Sequence, residues 1–196
     1  YYQYNTQFDM YQTNTAAAGD NIHYLYADGM LRTAKNLQEI EQVFVGLEDN
    51  TSVFDLVNAA GESLPLLEEG SVYISPALMH MYNIAIGDLL TVSLPGKEQQ
   101  MKVADIATTA TNGEMYLNKN QLATILQLPA NAYNGILSLE QLPAVANTVV
   151  VSNAKKIEAL QRASVSNQNS AVINQVIGAV TGIILLFLAL LLNFQD

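Results

Sequence analysis

GSVYISPALMHMYNIAIGDLLTVSLPGKEQQMKVADIATT, residues Gly70 to Thr109, carries the punctuation from which the rest of the chain is read. Val72 to Ile74 has the length and the apolar, β-rich composition of a short buried strand. Ser75 then stands where a helix N-cap is wanted and Pro76 at the first helical position, where its missing N–H is no loss. The pattern predicts a helix over Pro76 to Tyr82. Gly87 and Asp88 form a turn, since glycine enters positive φ freely and aspartate bonds to nearby backbone amides. Beyond it Leu90, Val92 and Leu94 share one face of a strand. PGKEQQ turns the chain, and MKVADIA returns with Met101, Val103 and Asp105 opposed to Lys102 and Ala104. The segment is therefore strand, helix and hairpin, a small barrel-like or sheet element.

Working outward, the reading stays mixed. YYQYNTQFDMYQTN gives a strand near residues 6–13. Asp20 or Asn21 is placed to cap a short helix with Ile22, Leu25 and Tyr26 on one face, which Gly29 would end. LQEIEQVFVGL reads as a strand, and GESLPLLEEG as a turn-rich connection. On the other side Met115 to Leu117 reads as a strand. Asn118 or Asn120 then caps a helix that buries Leu122, Ile125 and Leu126 and ends before Pro129. NGILSLE and NTVVVSN are two more strands, and AKKIEALQRAS is an amphipathic helix with Ile157 and Leu160 on one face. Strands and helices in this order specify an α+β fold rather than a doubly wound sheet.

The chain closes on AVINQVIGAVTGIILLFLALLLNFQD, and Ala171 to Leu192 contains no charged residue. A helix rises about 1.5 Å per residue, so roughly 20 apolar residues cross a hydrocarbon core about 30 Å thick. Ile183 to Leu192 is apolar at every position, whereas a soluble amphipathic helix places polar residues on one face. The tail reads as a membrane span; a core helix of a larger soluble protein or an oligomerisation helix is the alternative. Gly178 and Gly182 give a GxxxG spacing through which another helix could approach closely. The expected organisation is a domain over 1–165, a polar hinge over 166–170 and a transmembrane helix over 171–193.

Composition narrows the function classes. The 196 residues carry a net charge of −10, spread singly along the chain, and a phosphate-binding surface needs a basic face. Nucleic acid is thereby an unsuitable partner. Cysteine is absent, so there is no disulfide framework, thiolate metal site or cysteine nucleophile. His23 and His80 lie far apart, without the spacing of an HExxH-type site. Glu68 and Glu69 sit beside glycine in a loop, without the apolar setting that tunes a general acid. Serines 52, 63, 71, 75 and 93 fall outside GxSxG and SxxK patterns, and no stretch matches a phosphate-binding loop. No catalytic residue, cofactor or metal ligand is nominated.

The Gly70–Thr109 segment resembles the extracytoplasmic domain of FtsX-like ABC transporter permeases, the group that includes MacB-type exporters. The resemblance rests on Gly70, a strand, Ser75 leading into a short helix, Gly87 and Asp88 opening a hairpin, and Val103 with Ile106 closing it. GEMYLNKNQLATIL is similar to the family's later strand-to-helix passage, and the apolar tail to the helix that re-enters the membrane. The likeness spans about residues 65–192, the first 60 fitting only in outline. It implies a non-enzymatic permease component in the cell membrane, part of a multi-pass protein, with residues 1–165 on the extracytoplasmic side. It also implies a cytoplasmic ATP-binding subunit and a second permease copy or partner permease, with energy coupling beyond Asp196. The alternative is a membrane-anchored extracellular interaction module with a single C-terminal anchor.

Overall fold

A computed structural model describes residues 2–14, 20–35, 38–48, 53–109, 114–159 and 161–162. Residues 1–152 form one unit. Its elements run β1 (Tyr4–Thr13), β2 (Ile22–Thr33), β3 (Ile40–Leu47), β4 (Ser71–Ile74), α1 (Pro76–Tyr82), β5 (Leu89–Leu94), β6 (Lys97–Ile106), β7 (Glu114–Asn118), α2 (Lys119–Ile125), β8 (Ala132–Ser138) and β9 (Thr148–Ser152). The strands are laced in the order β3-β7-β4-β6-β5-β2-β8-β1-β9, and β3 also pairs with β2. That extra pairing closes β2, β3, β7, β4, β6 and β5 into a ring, a small mixed barrel. β8, β1 and β9 continue from β2 as an antiparallel extension.

β2 joins the two parts. Its first residues, Ile22 to Tyr24, pair with β8, while Leu25 to Leu31 pair with β3 and Met30 to Thr33 with β5. Leu25, Ala27 and Leu31 point into the barrel core with Phe44, Val72, Ile74, Leu90, Val92, Met101, Val103, Met115 and Leu117. Ile22 and Tyr24 belong to a second core on the outside of the ring, with Val45, Tyr73, Tyr116, Leu137, Val53 and Leu67. The wall made by β2, β3, β4 and β7 thus carries apolar side chains on both faces over much of its length, although Asp28 and Glu41 are exposed, and β5 and β6 turn an outer face to water.

This corrects the helix expected after Asp20 and Asn21. Ile22, Leu25 and Tyr26 fit a helical stripe because both faces of a two-sided strand are apolar, and spacing alone cannot separate the two cases. The flanking aromatic and β-branched residues agree with the strand that forms. Gly29 lies inside that strand instead of ending a helix. A Cβ there would stand 2.7 Å from Ser93 O, 2.8 Å from the Phe44 ring and 2.9 Å from Leu94, so glycine is what lets β5 and Phe44 approach. A second correction concerns β6. Val72 pairs with Val103 but Tyr73 pairs with Asp105, so Ala104 is an extra residue that shifts the alternation. Ile106, not Asp105, follows Val103 into the core.

The helices start and stop for local reasons. The Ser75 side chain accepts from Leu78 N, Pro76 opens the first turn of α1, and Leu78 enters the barrel core. The Asn118 side chain accepts from Asn120 N and Gln121 N, and Leu122, Ala123 and Ile125 of α2 are buried. α2 lies against β3 at Gly46, where a Cβ would meet the Lys119 backbone at 2.9 Å. In the second unit, residues 153–159 and 161–162 are helical, with Glu158 and Arg162 paired one turn apart and Ile157 exposed. The hinge at 166–170, the span at 171–193 and its Gly178 and Gly182 lie outside the described residues. Among the described residues no helix is long and apolar enough to cross a membrane.

Candidate functional site

The motif residues of the central segment meet in one hydrogen-bonded unit. Gly87, at φ +91°, donates to Val103 O at 2.8 Å, and Val103 N donates to Asp88 O at 2.9 Å. The Asp88 carboxylate accepts from Ala85 N at 2.9 Å and from Lys35 Nζ at 3.2 Å. The Ala85 amide, then Lys35, hold its carboxyl below the usual range. Gly70, at φ +80°, accepts from Lys102 N, and Ile74 O accepts from Ala107 N. Gly70, Gly87, Asp88, Val103 and Ile106 therefore stand at successive junctions where β4 and the turn before β5 are stitched to β6, while Ser75 caps α1 directly after β4. Everything the Asp88 carboxylate contacts is backbone or lysine of this chain, the pattern of a structural brace. The hairpin itself closes through Pro95 and Gly96, with Leu94 paired to Lys97 and Gly96 at φ +88°.

Among the described residues no group of three His, Asp or Glu side chains could hold a metal ion. His80, Glu68 and Glu69 are exposed. His23 stacks on Tyr133 with ring centroids 4.3 Å apart, and its pKa is lowered first by burial and then by Lys119, with Glu48 opposing. That favours the neutral ring. Three of the serine hydroxyls act as caps and braces: Ser75 receives Leu78 N, Ser93 donates to Glu98, and Ser63 donates to Asp55. Tyr24 donates to Asn5 and Tyr116 to Glu114, and burial raises the pKa of both phenols, which keeps them neutral donors.

One concave feature among the described residues is a small, mostly apolar cavity of about 50 Å³ on the outer wall of the barrel. Leu47, Tyr73 and Tyr116 supply its floor, and Phe54, Leu64 and Leu67 its cover. The cover is an irregular segment held down by an isolated bridge between Val57 and Ser63, by Tyr73 Oη donating to Pro65 O at 2.7 Å, and by Asn118 Nδ2 donating to Leu67 O. Two carboxylates reach the same place. Glu48 is bound at 2.6 Å by Lys119, a side chain only 3% exposed, while Asp55 receives Ser63 through Oδ2. Asp55 Oδ1 is shielded from solvent and has no partner. The sequence marked residues 61–70 of this segment only as a turn-rich connection and gave residues 53–60 no element. Its apolar residues at 53, 54, 56, 64 and 67 were the available signal, but which wall they cover is a long-range matter.

No family model matches the sequence, and no curated protein is similar to it at a significant level. Solved structures are similar in fold. One is the extracellular domain of the noncanonic ABC-type transporter YknZ from Gram-positive bacteria, at 13% identity and a TM-score of 0.47 over 79% of this chain and 87% of that one. Another is the periplasmic region of MacB from Actinobacillus actinomycetemcomitans, at 10% identity and a TM-score of 0.48 over 81% of this chain and 92% of that one. Each is a part of its own protein that lies outside the cytoplasm.

Proposed function

We propose that the chain is the extracytoplasmic domain, with the following membrane helix, of an FtsX-like ABC transporter permease subunit. It is a non-enzymatic component that takes part in ATP-driven export or passes a conformational change across the membrane. The observation that carries this reading is the β4-α1-β5-β6 unit, in which Gly70, Gly87, Asp88, Val103 and Ile106 lie where β4 and the turn before β5 are bonded to β6, and Ser75 caps the helix between them. The uncharged Ala171–Leu192 that follows in the sequence supports it further.

In this reading residues 1–165 stand outside the cytoplasm, 166–170 form the hinge and 171–193 cross the membrane. ATP is hydrolysed on a separate cytoplasmic subunit, and a second permease copy or a partner permease completes the membrane assembly. A closed ring suits the task physically. Its strands leave few unpaired edges and its close-packed interior resists deformation, so a displacement imposed on it is passed on rather than absorbed. The test is purification of the full-length protein from its own membrane. An ATPase subunit should accompany it, and its presence should change that subunit's ATP turnover. An extracytoplasmic domain with no ATPase partner would make the singly anchored interaction module the better account.

A further inference from the structure

The cavity on the outer wall of the barrel has no part in the transporter reading. It opens to solvent, and two of its lining residues, Pro65 and Leu66, are themselves exposed. The hydroxyls of Tyr73 and Tyr116 are taken by Pro65 O and by Glu114, so these two rings offer the cavity carbon. The charged side chains in the lining, Glu48 and Asp55, are both carboxylates. Glu48 is paired with Lys119, a side chain only 3% exposed, and Asp55 has no cationic partner among the described residues. Glu68 and Glu69, both exposed, follow the lining Leu67 directly. The stretch around them is one-signed: residues 36–96 hold nine of the 18 acidic residues and none of the eight basic ones.

We propose that this cavity seats one aliphatic side chain of a partner polypeptide whose neighbouring residues are lysine or arginine. The size selects a side chain. One water-sized position takes roughly 10–15 Å³, so 50 Å³ holds about four carbon atoms, the size of a leucine or isoleucine side chain. Sites for whole small molecules enclose about 300–1,000 Å³, whereas a single apolar side chain in a small pocket is the usual anchor of a protein contact. The charge selects the flanks. A field of carboxylates attracts a basic segment and repels the phosphates of a lipid surface, which argues against an acyl chain as the occupant. A second copy is disfavoured on the same ground, since this chain carries a net charge of −10. The proposal goes beyond the permease reading and does not depend on it, since it rests on the cavity and the charges around it.

The test is an NMR titration of the full chain in phosphatidylcholine nanodiscs, following the methyl groups of Leu64 and Leu67 in the cavity lining and of Leu90 in the barrel core as a control. The probes are a blocked peptide Gly-Lys-Leu-Lys-Gly, the same peptide with alanine for leucine, the same with glutamate for both lysines, and n-butanol. The first peptide should shift the lining methyls saturably and leave Leu90 unmoved. Alanine in place of leucine should weaken binding by about tenfold or more, since it leaves the cavity largely unfilled. Glutamate in place of lysine should abolish the saturable shift. Glu68→Gln together with Glu69→Gln, both at exposed positions, should weaken the first peptide by about threefold or more. Absence of a saturable shift overturns the proposal, as does equal binding of the alanine or glutamate peptide. Butanol binding as tightly as the peptide also overturns it and makes the cavity a site for a small apolar molecule. Should the doubly substituted protein fail to fold, the three peptides on the unaltered chain decide by themselves.

Discussion

Replacing Gly29 by alanine tests whether β2 closes the barrel as described. Gly29 pairs with Gln42 of β3, and its neighbour Met30 pairs with Ser93 of β5, so this is the point where β2 holds both adjacent strands. The added methyl would stand 2.7 Å from the Ser93 carbonyl oxygen, 2.8 Å from the ring of Phe44 and 2.9 Å from a Leu94 methyl. Phe44 is fully buried, and the nearest obstacle is backbone, so no simple side-chain rotation relieves the overlap. Overpacking of this kind costs about 1–3 kcal/mol, and a backbone clash belongs at the upper end. The lower entropy of unfolded alanine returns roughly 0.5 kcal/mol. The net expectation is a loss of about 2 kcal/mol, or roughly 4–8 °C in melting temperature for a domain of this size. Far-ultraviolet circular dichroism during thermal and urea unfolding of the full chain measures it. Phe44→Leu in the Gly29→Ala background should destabilise by less than it does alone, because the two share one space. An unchanged or raised melting temperature for Gly29→Ala would refute the close approach of β2, β5 and Phe44.

Gly87→Val places a β-branched residue at φ +91° and should destabilise the fold by about 1 kcal/mol or more; an unaltered melting temperature would remove the structural role proposed for this turn. Asp88 has a depressed folded-state pKa, so its stabilisation is complete above the ordinary carboxylate range and is lost as pH falls through the folded value. Asp88→Asn should therefore lower stability at neutral pH and flatten the acid limb of the stability profile, and an acid limb identical to the parent's would show that Asp88 does not contribute. Gly182→Leu should weaken association of the full-length protein in membranes while leaving residues 1–152 folded, and undiminished association would exclude the GxxxG contact.

What could be read from the sequence depended on which faces meet water. The β5–β6 hairpin was legible because Leu90, Val92 and Leu94 alternate with outward Thr91 and Ser93, and Pro95 with Gly96 marks the turn. The capped starts of α1 and α2 were legible because Ser75 and Asn118 act locally. β2 was misread because its two faces serve two cores, which erases the alternation. The bulge at Ala104 left only a parity change, Val103 followed by Ile106. Closure of the ring needs β3 beside β7, Val45 against Tyr116, and no local pattern announces a pairing that distant. The same holds for the cover over the outer wall. Leu64 reads as part of a turn-rich connection until Tyr73 and Tyr116 are seen to lie beneath it. The resemblance to permease domains rests on local junction residues such as Ser75, Gly87 and Asp88, whose roles are set by their immediate neighbours.

The central claim is that residues 1–165 lie outside the cytoplasm. Because residues 1–196 contain no cysteine, one introduced by Glu62→Cys at an exposed loop position is the only thiol of this stretch to be labelled. In spheroplasts expressing the full-length protein, a membrane-impermeant maleimide should label that residue as fully before permeabilisation as after it. Labelling that appears only once the membrane is opened would place the domain in the cytoplasm and contradict both the topology and the permease assignment.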